Sequence, residues 1–98
     1  MLTKASIESK LREYFKDQPI VRAFLFGSFS KNQQTSTSDV DLLVELDKKA
    51  KVGLIKFISI KLDLEDIFQT KVDLLADSGI SPLIKSQIDK EKILVYER

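Results

Sequence analysis

The chain has 98 residues, the size of one small domain with a single core, and residues 1–98 are read as that domain. Apolar residues make up 43% and charged residues 32%, which excludes a disordered chain, and 16 Lys and Arg against 15 Asp and Glu leave +1, which gives no bulk pull toward nucleic acid or a membrane. Cysteine and histidine are both absent. Disulfides, thiolate and imidazole metal sites and histidine acid–base chemistry are therefore excluded, and carboxylates with a hard, oxygen-preferring metal remain as the catalytic equipment.

In chain order, residues 1–10 hold no apolar signal core and no segment approaches the ~18 apolar residues of a membrane span, so a cytoplasmic protein is expected. Thr3 is placed to cap a helix over residues 3–16, with Ile7, Leu11, Tyr14 and Phe15 on one face and Leu2 stapled onto Ile7. Asp17-Gln18-Pro19 ends it. The nearly continuous apolar run 20–26, broken only by Arg22, predicts a strand covered on both faces, in the middle of a sheet.

Residues 29–38 are polar and read as a loop, and 39–46 as a second strand followed by the charged linker 47–51. Residues 52–68 fit strand alternation as well as a helical face. Their length, and the usual helical crossover between strands, decide for a helix. Residues 72–76 form a third strand, Ser81-Pro82 opens a helix to about residue 90, and 93–96 is a short strand or an apolar tail. The pattern predicts an α/β (α+β) fold, a small mixed sheet of three to four strands with flanking helices.

Residues 24–43, FLFGSFSKNQQTSTSDVDLL, carry most of the functional information. Gly27 suits a sharp turn or close approach to a ligand because it lacks a Cβ, and Ser28 adds a hydroxyl at the same corner. In the following strand Val40, Leu42, Val44 and Leu46 take one parity and Asp39, Asp41 and Glu45 the other, with Leu43 the exception. Two carboxylates on one side of a strand can share a divalent metal. Asp73 lies inside the third apolar run. Aspartate is disfavoured in strands, so even as ordinary strand-end charges these residues would need stabilising partners.

Gly27-Ser28, a ten-residue loop and Asp39-Val40-Asp41, together with the later Val72-Asp73-Leu74-Leu75, resemble the signature of the DNA polymerase beta-like nucleotidyltransferases, and most of all their minimal nucleotidyltransferase (MNT) group. The resemblance covers roughly residues 20–98. It implies a polymerase beta-like core, two magnesium ions held by Asp39, Asp41 and Asp73, and ATP as substrate. It also implies a nucleotide-binding set of Gly27, Ser28, Lys31 and Ser38. Lys31-Asn32 stands where many relatives have Arg-Gly, and lysine lacks the bidentate fork of arginine, so a phosphate grip there is looser.

MNT proteins pair with helical HEPN toxins as antitoxins, so the resemblance implies AMP transfer from ATP to a hydroxyl of such a protein partner, in a homo- or hetero-oligomer. Nucleic acid is not expected as a direct partner. Two alternatives stand beside it: an antitoxin that neutralises its partner by contact alone, for which Lys31-Asn32 leaves room, and an enzyme that modifies a small molecule such as an aminoglycoside.

Overall fold

The computed structural model describes residues 2–27 and 39–98. The elements are α1 (Lys4–Phe15), β1 (Ile20–Phe26), β2 (Val40–Leu46), α2 (Leu54–Phe68), β3 (Val72–Ala76), α3 (Pro82–Glu91) and β4 (Ile93–Glu97), with short 3₁₀ turns at Lys48–Ala50 and Asp77–Gly79. The sheet order is β3-β2-β1-β4. β2 and β3 run parallel, joined by α2, and the other two pairings are antiparallel. The run 20–26 is thus an inner strand, as its two-sided apolar character predicts. Residues 93–97 pair with β1 as a strand.

Local chemistry sets the helix ends. Thr3 accepts a hydrogen bond from the Ser6 N–H while Ser6 Oγ accepts one from the Thr3 N–H, a reciprocal cap that satisfies two amides otherwise left without partners. Ser81 caps α3 by accepting from the Ile84 N–H, with Pro82 in the first turn. α2 closes on Gln69 in the left-handed region (φ 55°), whose N–H returns to the Glu65 carbonyl.

One face of the sheet carries the core. Ala23, Leu25, Val40, Leu42, Val44, Val72 and Leu74 meet Ile7, Leu11 and Phe15 of α1 and Ile60, Leu64 and Phe68 of α2. On α2 the row through Ile60 and Leu64 is buried, while Leu54, Ile58 and Leu62 stay exposed. Phe15 packs edge-on against Tyr96 of β4, with ring centroids 5.2 Å apart.

The opposite face carries charged side chains. Leu43 shares the parity of Asp41 and Glu45 yet is fully buried outside the main core, and Ile88 of α3 is likewise buried outside it. The departure of Leu43 from strand alternation thus reflects an apolar centre to this second face. At one end of it Arg22 bridges Glu45 and Glu97 at 2.9 and 2.7 Å, cross-strand pairs set by the register. The aspartates lie at the other end. Among the described residues, no helix is long and apolar enough to cross a membrane.

Candidate functional site

Register brings Asp41 and Asp73 together. They are paired residues on parallel β2 and β3, so their side chains leave the sheet on one face from adjacent strands. Asp39 lies just ahead of β2, at the same parity as Asp41, and is exposed. The expected strand began at Asp39, but the ladder starts at Val40, whose N–H donates to the Lys71 carbonyl at 3.0 Å. On the other side of β2, Asp41 pairs with Phe26, so Gly27, the residue just after β1, falls at the aspartate's edge.

Gly27 is required there for two reasons. Its φ is +74°, in the region that L side chains rarely enter, and a Cβ would overlap the Asp41 Oδ2 and sit 3.2 Å from Cγ. The carboxylate therefore lies flush against a bare Cα. The Gly27 N–H donates to Glu91 Oε1, at the C-terminal end of α3, at 3.2 Å.

This crowding has an electrostatic signature. Partial burial first, then the neighbouring charges of Asp73, Asp39 and Glu91, raise the Asp41 pKa from 3.8 to about 6. In the unfolded chain that carboxyl ionises near its ordinary value, so the native state binds more protons between about pH 4 and 6 and loses stability as pH rises through that window. Asparagine cannot ionise. In metal-free buffer at pH 7.5, Asp41→Asn should therefore melt higher than the wild type. The gain is on the order of 1 kcal/mol after discounting for the half-exposed site, or about 4–8 °C for a domain of this size. The difference should close toward pH 4, and a wild type that melts as high as the variant at pH 7.5 would refute the charge crowding.

The donor set suits a hard cation, since every group offered is a carboxylate oxygen. Among the described residues no three carboxylates converge into a ready-made cage. Two in-register aspartates with a third nearby fit instead an ion that takes only part of its coordination from protein and the rest from phosphate and water, the habit of magnesium.

Residues 9–98 match the family model of the polymerase beta nucleotidyltransferases. The chain belongs to that family. A provisionally named protein adenylyltransferase of Methanocaldococcus jannaschii is 33% identical over 87 residues, spanning 89% of this chain and 91% of that one. The protein adenylyltransferase MntA of Thermococcus cleftensis is 32% identical over 102 residues, covering 97% and 98% of the two chains. The fold is shared with a provisionally named minimal nucleotidyltransferase at a TM-score of 0.78 and 24% identity, over 94% of this chain and 95% of that one. It is shared also with the crystal structure of a toxin–antitoxin with AMP-PNP, at a TM-score of 0.77 and 22% identity over 99% and 75%. A complex of a tri-AMPylated Shewanella oneidensis HEPN toxin with its MNT antitoxin gives 0.76 and 18% over 98% and 74%.

Within this nucleotidyltransferase, four of the sequence candidates fall on described residues. Gly27, Asp39, Asp41 and Asp73 gather at one end of one sheet face. Ser28, Lys31 and Ser38, with Asn32, lie outside the described residues. Sequence reasoning missed Glu91, which approaches Gly27 from 64 positions away. No local pattern flags it, because an acidic residue at the end of a polar helix face reads as solvated surface.

Proposed function

We propose that the protein is a magnesium-dependent adenylyltransferase that moves AMP from ATP to a hydroxyl of a protein partner, a helical HEPN toxin, and so acts as its antitoxin. The observation that carries the reading is the pairing of Asp41 with Asp73 on adjacent parallel strands, with Asp39 at the same parity and Gly27 flush against Asp41. Family membership and relatives named for protein adenylyl transfer support it.

In this reaction the acceptor oxygen bonds to the α-phosphorus, the bond to the bridging oxygen breaks, and pyrophosphate leaves. The Gly27 N–H lies at a corner where it can donate to a phosphate oxygen, and Ser28, Lys31 and Ser38 would complete the nucleotide-binding set. Asp39, Asp41 and Asp73 would hold the two metal ions. When bound, magnesium offsets the charge that builds on the attacking and leaving oxygens. Asp73 is exposed on an edge strand, so it also meets the acceptor and takes or orients its hydroxyl proton.

Incubating the protein with a HEPN partner, magnesium and ATP should place label from the α-phosphate, and none from the γ-phosphate, on the partner. A partner that gains no AMP mass and is nevertheless silenced would replace transfer with neutralisation by contact.

A further inference from the structure

Four of the seven large apolar side chains that stand exposed among the described residues lie on α2: Leu54, Ile55, Ile58 and Leu62, at 73, 86, 44 and 56% exposure. Their spacing gathers them into one stripe on the side of the helix away from Ile60 and Leu64, and so away from the sheet. A continuous stripe, unlike a single exposed leucine, marks a surface that another molecule covers.

The charges of the same helix run against its own dipole. Lys56 lies in the first turn, after Lys48, Lys49 and Lys51, whereas the last turn carries Glu65 and Asp66 and no basic residue. The macrodipole is positive at the first turn and negative at the last, so each end meets charge of its own sign. Relief within the chain is partial. The Val72 N–H and Lys61 reach Glu65 at 3.1 and 3.9 Å, while Lys51, Lys56 and Asp66 form no ion pair with another described residue.

We propose that the stripe is the seat of a second copy of the chain, with the two α2 helices lying antiparallel across a two-fold axis. The charge order selects this occupant, because reversal brings the basic end of each helix onto the acidic end of the other. Leu54 and Leu62 lie four residues to either side of Ile58, and Lys51 and Glu65 seven. With the axis at Ile58, Leu54 meets Leu62 of the partner subunit, and Lys51 lies toward the partner subunit's Glu65. One patch is thus complementary to itself in both apolar surface and charge, as a two-fold contact requires. The contact uses the outer side of α2 and leaves the sheet face of Asp41 and Asp73 uncovered, so it does not depend on what that site binds.

Sedimentation equilibrium over a range of protein concentrations reads the association directly. The stripe is small beside the ~800 Å² per partner of a stable interface, so the dimer should dissociate in the micromolar range, and it should weaken as salt screens its ends. Ile58→Lys and Leu62→Lys place charge in the apolar centre and should raise the dimer Kd about a hundredfold. Both side chains are outside the core, so both variants should keep a cooperative melt. Lys51→Glu and Asp66→Lys each turn attraction into repulsion at both ends of the pair and should raise the Kd about tenfold. The double variant Lys51→Glu/Asp66→Lys should regain the wild-type Kd, since antiparallel copies again meet with opposite signs.

A wild type that stays monomeric into the millimolar range overturns the proposal. If such a monomer captures a helical partner protein and loses it on Leu62→Lys, the stripe belongs to that partner instead. A dimer indifferent to Ile58→Lys and Leu62→Lys uses another surface, and a double variant no tighter than the single ones removes the antiparallel order. Either result overturns the proposal and leaves the assignment of the nucleotide site untouched.

Discussion

Gly27→Val should abolish nucleotide-induced stabilisation. Valine at φ +74° is strained at a β-branched residue, and its Cβ would take the space of the Asp41 carboxylate. Corner and carboxylate would move apart together, so one substitution removes a phosphate donor and displaces a metal ligand. At a hundredfold excess over the Kd, magnesium and ATP should stabilise the wild type by about 2.7 kcal/mol, which a thermal melt reads directly. The valine protein should show almost none of this while still melting cooperatively, because Gly27 lies beyond the last residue of β1 and outside the core. Undiminished stabilisation would mean that the nucleotide does not use this corner.

Asp73→Asn should separate binding from transfer. Asp41 sits on an inner strand between β1 and β3, whereas Asp73 is exposed on the edge strand, the side from which a bulky acceptor can approach. Loss of a group that accepts or orients a proton in the transition state costs about 10²- to 10⁴-fold in rate. The variant should accordingly transfer AMP at a small fraction of the wild-type rate and retain most of its ATP binding. The readout is a single-turnover rate on the partner beside an ATP titration. A rate within a factor of about three of the wild type would move the proton-accepting role away from Asp73.

How much of this was legible depends on whether a signal is local. The strand bearing Asp39 and Asp41 follows from two-residue alternation, and the helices from caps at Thr3 and Ser81 that need only neighbours three residues away. Gly27 is legible as a special position because a glycine between an apolar run and a polar loop has few other reasons to be there. The buried face of α2 was not legible, since Leu54, Ile58 and Leu62 are as apolar as Ile60, Leu64 and Phe68, and only the sheet decides which row it covers. Whether residues 93–97 form a strand depended on β1 having a free edge to offer. The register of Asp41 with Asp73 and the reach of Glu91 to Gly27 are tertiary facts with no local trace.

The parallel pairing of β2 with β3 also bears on the order of events during folding. An antiparallel hairpin closes through a short turn, whereas this pair can join only after the intervening helix has swung its chain back across the sheet, a long loop closed before its contacts repay the entropy. Asp41 and Asp73 are strangers until that step is complete. A chain in which β2 and β3 are not yet paired therefore lacks the assembled site, and competence for the ligand waits on that pairing. A ligand that recognises the finished pair should slow the loss of β3 from the sheet, making unfolding slower in its presence and leaving the early steps of folding unchanged.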